Sequence, residues 1–116
     1  KEENDNSMMA QTIDGFVEDF KLDKIDVIKI DIEGAELLCL QGGQNLFNGS
    51  NKPKIIFEGH EPFCNRFNYT LADLKSYLEQ FDYTLENYET YQWLATYKEM
   101  EGREKQETQI NSDRLE

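Results

Sequence analysis

Two short stretches gather the side chains able to do chemistry. The first reads Asp31-Ile32-Glu33-Gly34-Ala35-Glu36, the second Glu58-Gly59-His60-Glu61. Carboxylates can hold a hard cation, orient a polar ligand or move a proton. His60 is the single histidine of the chain. Imidazole, with a reference pKa of about 6.5, suits a general base. Each residue also has a structural explanation. Glu36 in a first helical turn gains from the helix dipole, Gly34 serves a tight turn, and Glu58 and Glu61 can be solvated strand-end charges. Asp31 and Lys29 are harder to absorb, because they interrupt an apolar run where a charge needs a partner. Mutual pairing, or a snorkelling Lys29 stem, is the plain alternative to a polar site.

Both stretches follow runs rich in β-branched residues. Residues 25–32, Ile-Asp-Val-Ile-Lys-Ile-Asp-Ile, read as a strand covered on both faces, hence parallel or central. Lys54-Ile-Ile-Phe-Glu58 reads as a second short buried strand. Between them, Ala35 to Gln41 reads as helix, with Gly42-Gly43 as stop or kink and with Leu46 and Phe47 extending the apolar face. Upstream, Thr12 can cap a helix whose Ile13, Phe16, Val17 and Phe20 share one face. Downstream, 61–68 reads as a loop. Thr70 and Asp73 then form a capping box, Tyr69 can staple onto Leu74, and Leu71, Leu74, Leu78 and Phe81 make a buried face. Tyr83–Tyr88 and Tyr91–Tyr97 are joined so tightly, around Glu89-Thr90, that they must be antiparallel.

The order helix, strand, helix, strand, helix, strand, strand predicts an α/β fold with a right-handed βαβ crossover, parallel strands and a closing antiparallel hairpin. Ligands of open α/β sheets bind beyond the carboxyl ends of the strands. If the first two strands are parallel neighbours, Asp31, Glu33, Glu36, Glu58 and His60 share one rim.

The 116 residues fit one domain, and the net charge of −12 argues against nucleic-acid or anionic-membrane partners. No apolar run approaches membrane-spanning length and no secretory leader is visible, so a cytoplasmic location is expected. Residues 1–11 read as a polar leader, 12–97 as the core, and 98–116 as a charged tail, disordered or a solvated helix. A charged start without Met leads us to expect part of a longer chain. Cys39 reads as a small core residue and Cys64 as a free thiol in a polar loop; two cysteines make no disulfide scaffold or zinc spacing. Asn48-Gly49-Ser50 and Asn68-Tyr69-Thr70 match the glycosylation triplet, a pattern common by chance.

Val27-Ile-Lys-Ile-Asp-Ile-Glu-Gly-Ala-Glu36, followed by Leu40 and Gly42, resembles the signature of the FkbM family of S-adenosylmethionine-dependent methyltransferases. Thr12-Ile13-Asp14, Pro53-Lys-Ile-Ile-Phe-Glu58 with His60, Tyr69-Thr70-Leu71 with Asp73-Leu74, and Trp93-Leu94-Ala95 resemble flanking family segments in the same order. The resemblance implies a Rossmann-like class I methyltransferase fold. This chain matches its carboxyl-terminal half, from the fourth strand onward. No G-x-G occurs anywhere in the chain, so the glycine-rich cofactor loop of the other half is missing. The implied reaction is methyl transfer from S-adenosylmethionine to a hydroxyl of a sugar or natural product, with a small-molecule or glycan acceptor. Asp31 and Glu33 would position cofactor or acceptor; Glu58 and His60 would stand on the acceptor side. Phe63, Phe67 and Tyr69 could stack on a sugar ring, or pack under their own loop. A fragment of this kind is expected to be inactive alone.

Three further expectations accompany this reading. Asp31, Glu33, Glu58 and His60 could hold a divalent metal such as Mg or Mn. Half a Rossmann-like sheet would expose the edge of its first strand, favouring self-association or a non-catalytic interaction module. A metal-dependent α/β hydrolase could use the same carboxylates.

Overall fold

The computed structural model describes residues 11–97. The expected leader and tail lie almost wholly outside these residues. In chain order the elements are α1 (Ile13–Asp19), β1 (Val27–Ile30), α2 (Glu36–Gln41), α3 (Gln44–Phe47), β2 (Lys54–Glu58), α4 (Glu61–Asn65), α5 (Leu71–Glu79), β3 (Tyr83–Glu89) and β4 (Gln92–Tyr97). The strands form one mixed sheet in the order β1-β2-β4-β3. β1 and β2 are parallel, with Ile30 opposite Phe57. β4 runs antiparallel to both β2 and β3. The α/β class, the parallel pair and the closing hairpin therefore form as the residue pattern predicts.

β2 is flanked on both sides, and its Ile55 and Phe57 are fully buried. Leu40 of α2, Phe47 of α3, and Leu74 and Leu78 of α5 are likewise without solvent contact. Each such side chain contributes roughly 1.5–3 kcal/mol of transfer free energy, so these six side chains make the centre of the core. Tyr77 of α5 donates to the Leu40 carbonyl at 3.0 Å, tying α5 to α2. Tyr83 donates to the Pro53 carbonyl at 2.6 Å, fixing the start of β3 beside the start of β2.

The local grammar holds where a side chain meets nearby backbone. Thr12 accepts from the Gly15 N–H and caps α1. Both bonds of the Thr70–Asp73 capping box are present at the start of α5. Gly42 ends α2 and Gly43 begins α3.

Three expectations are corrected. β1 is shorter than residues 25–32 and is not covered on both faces: Val27 is 51 % exposed, and Lys29 is also exposed. Val27 and Lys29 point to one face of the strand, which is left open among the described residues, whereas Ile30 on the other face is buried. Asp31 therefore lies past the strand end in solvent, and neither it nor Lys29 needs a buried partner. Second, 61–65 is helical, not loop; Pro62 sits in the first turn, where its missing N–H costs nothing. Cys64 is consequently a buried helical thiol, while Cys39 is only half-buried. Third, the apolar face of α1 is only partly covered: Ile13 packs against the core, but no residue of the helix is fully buried, and Phe16 and Phe20 are 46 % and 62 % exposed. Polar contacts hold α1 in place. The Asp14 carboxylate accepts from the Asn45 and Leu46 N–H groups, capping α3, and the Asp14 N–H donates to the Gly42 carbonyl.

Candidate active site at the sheet rim

The parallel pairing of β1 and β2 sets their carboxyl ends side by side. Asp31 follows β1, Glu58 closes β2, and His60 stands at the N-cap position of α4. Carboxylate oxygens of Asp31, Glu36 and Glu58 all lie within 4.8 Å of one another. Three acids so close repel unless one is protonated or their charge is otherwise matched.

Glu36 is matched by backbone. Only 1 % exposed, it accepts 2.8 Å hydrogen bonds from the Ile32 and Gly34 N–H groups. The turn between β1 and α2 thus closes around this carboxylate. Glu33 and Gly34 take left-handed conformations there, φ 54° and 112°. A Cβ on Gly34 would stand 2.3 Å from the Phe63 carbonyl oxygen, so only glycine fits against α4. Tyr69 locks the turn from beneath: its hydroxyl donates to the Gly34 carbonyl at 2.7 Å and accepts from the Leu37 N–H at 3.4 Å. Tyr69 is 7 % exposed and so faces the turn, not an acceptor. Burial pushes its phenol well above the usual tyrosine range.

Glu58 has no such match. Its Oε1 is enclosed and lacks a hydrogen-bond partner. Burial raises its carboxyl above the ordinary glutamate range, and the neighbouring Asp31 raises it further by charge and by hydrogen bonding. Glu36 and Glu33 add smaller upward pushes. A proton on Glu58 relieves all of these and lets the two carboxyls share a hydrogen bond.

His60 stands apart from the acid trio, in an aromatic setting. Its ring stacks on Tyr91 at 3.9 Å between centroids and meets the Phe63 ring edge-on at 4.5 Å. The Arg66 guanidinium lies 4.8 Å from the Phe63 ring on its own helix. Behind it, Gly59 passes so close to Trp93 that a Cβ would come within 2.8 Å of the indole. Trp93 stacks on Phe57 and carries Lys75 over its ring.

Of the residues expected to share the rim, Asp31, Glu36 and Glu58 converge. Exposed Glu33 contributes field, and His60 occupies the adjoining aromatic corner. Tyr91 carried no local signal and reaches the rim only through tertiary contact, whereas Tyr69, expected either to stack on a sugar or to pack under its loop, is packed. The cysteines do not join. Burial pushes both thiols up, away from the reactive thiolate form.

A family model described as the methyltransferase FkbM domain matches residues 2–85, from before α1 into β3. No curated protein and no solved structure gives a match. The matched region includes the whole turn between β1 and α2, together with Glu58, His60 and Tyr69. The chain belongs to the FkbM methyltransferase family.

Proposed function

We propose that this chain forms the acceptor side of an S-adenosylmethionine-dependent O-methyltransferase acting on a hydroxyl of a sugar or natural product. One observation carries the reading: Asp31 and Glu58 converge where two parallel strands end, His60 occupies the adjoining aromatic corner, and the turn between β1 and α2 is locked around Glu36.

The donor set suits one end of that cofactor. S-adenosylmethionine supplies, when bound, an electrophilic methyl group on a positively charged sulfonium. Exposed carboxylates at Asp31 and Glu33 fit its sulfonium and ammonium charges. The adenosine end needs a further surface, in keeping with a Rossmann-like domain of which this chain is the carboxyl-terminal half. Among the described residues β1 pairs with β2 alone, which is in keeping with that reading.

The chain's own residues would then divide the work. Asp31 and Glu33 orient the charged ligand. The acceptor hydroxyl loses a proton as it is methylated, and the imidazole of His60 takes it. Glu58, whose carboxyl is pushed above the ordinary glutamate range by burial and by Asp31, stands beside Asp31 on the acceptor side. Orientation supplies most of the rate in such an in-line displacement, and the locked turn fixes Asp31 and Glu33 for that purpose. The test supplies tritiated-methyl S-adenosylmethionine and a panel of sugar and phenolic hydroxyls to the intact protein. Asp31→Ala is expected to abolish transfer while leaving the fold unchanged. Wild-type turnover would remove Asp31 from the site.

The edge of β1 that is unpaired among the described residues favours a second reading, an interaction module. An apolar groove of about 420 Å³ runs beside it, lined by Ile13, Phe16, Val17, Leu22, Val27 and Ile28. Sedimentation of the 116-residue chain separates the two: self-association supports the module, whereas a monomer does not.

A further inference from the structure

We infer that Tyr91 is a positioning residue that holds the His60 imidazole in a single orientation; this rests on the reading of His60 as the base. The ring of Tyr91 lies over the imidazole at 3.9 Å with a 29° tilt, while Phe63 closes from the side at 65°. Between a face and an edge, the imidazole has one plane open to it.

Packing does not explain the placement of Tyr91. It is 46 % exposed, at the tip of the hairpin between β3 and β4. Its backbone is left-handed, φ 63°, a conformation that side-chain-bearing residues adopt against a steric cost. Such a residue stays only where its surroundings hold it, and here they do. The Gly59 N–H, one residue before His60, donates to the Tyr91 carbonyl at 2.7 Å. Gln92 pairs with Glu58. On the other arm, the register shifts between Asn87 and Glu89, and the Asn87 amide donates to the Glu89 and Gln92 carbonyls, both at 2.9 Å. The turn is thereby tied to the strand that delivers His60, which keeps the phenol ring over the imidazole.

His60 is the sole histidine, which makes the test clean in the whole chain. One imidazole spin system is expected, its carbon-bound protons shifted upfield by the Tyr91 ring and showing cross-relaxation to it. Tyr91→Ala should erase both signatures. It should also raise carbethoxylation of His60 by diethyl pyrocarbonate by about fivefold, the scale set by the loss of one aromatic stack. Tyr91→Phe should keep the shifts and stay within about twofold of the native rate, because the ring and not the hydroxyl does the holding. Asn87→Ala, which frees the turn while sparing the ring, should fall between. Unchanged shifts and rate in Tyr91→Ala would overturn the inference. His60→Gln in the methyl-transfer assay addresses the base alone: full turnover there removes the base, and with it the reason for a positioning role, while leaving the stack in place.

Discussion

The Tyr69 hydroxyl donates a 2.7 Å hydrogen bond to the carbonyl of Gly34, across a sequence separation of 35. It joins the approach to α5 to the turn after β1, and so links the last helix before the hairpin to the loop that carries Asp31 and Glu33. Glu36 holds the same turn from within. The exposed acids are thus mounted on a segment braced from two sides.

Removing the phenol should loosen that mounting. Tyr69→Phe leaves a buried carbonyl without its donor, and chemical denaturation at neutral pH should show a loss of about 1–3 kcal/mol. The folded-state phenol titrates above the unfolded value, so the native chain keeps a proton that the unfolded chain loses. The stabilisation is full below about pH 10, the ordinary tyrosine value, and declines as pH rises beyond it. Tyr83, also pushed up by burial, acts in the same direction. Tyr69→Phe should flatten part of the alkaline decline.

Gly34 admits no side chain. An alanine there combines a left-handed backbone with a 2.3 Å clash against the Phe63 carbonyl. A loss on the order of 3 kcal/mol or more is expected for Gly34→Ala in denaturant titration. A cost below about 1 kcal/mol, the size of a simple left-handed penalty, would show that α4 can shift away.

Glu58 should make the protein less stable as the solution becomes less acidic. Its folded-state carboxyl titrates above the unfolded value. Folding is penalised as pH rises from the unfolded pKa, about 4.3, through the folded one, and the penalty then stays constant. Glu58→Gln removes the charge while keeping a donor for Asp31. It should stabilise the chain at neutral pH by on the order of 1 kcal/mol, the cost of one poorly satisfied buried group. The difference from the native protein should vanish well below pH 4, where both carry a neutral group. A destabilising Glu58→Gln at pH 7 would assign the carboxylate a partner.

Calorimetry tests the division of the cofactor site. The 116-residue chain should bind S-adenosylmethionine weakly or not at all, since the proposed site offers carboxylates for the charged end and the sequence holds no G-x-G for the rest. Tight binding would show that these residues make a complete site.

Much of the fold was legible because it rests on short-range chemistry. The Thr70–Asp73 box, the Thr12 cap and the β-branched run at Lys54–Glu58 declare their elements within a few residues. The parallel pair and the hairpin follow from the length of the connections. β1 misleads because its pattern is that of a strand covered on both faces, whereas among the described residues the face carrying Val27 and Lys29 stays exposed. α4 escapes notice because five residues are too few for a periodic signal. The acid trio was legible from its place at strand ends. The division of labour within it was not: Glu36 has two backbone donors and Glu58 has none for its enclosed oxygen, a difference visible only once the turn is folded.

α1 is fastened by hydrogen bonds through Asp14, while its aromatic pair, Phe16 and Phe20, rests in solvent. Detaching it would uncover less apolar surface than opening the core, since Ile13 packs against the core but no residue of the helix is fully buried. Sensitivity to urea and change in heat capacity both scale with surface uncovered. In native-state hydrogen exchange the α1 amides should therefore open with a free energy less dependent on added urea than those of α5, whose Leu74 and Leu78 are buried. The helix would behave as a hinged flap, fluctuating on its own account while the sheet beneath stays closed.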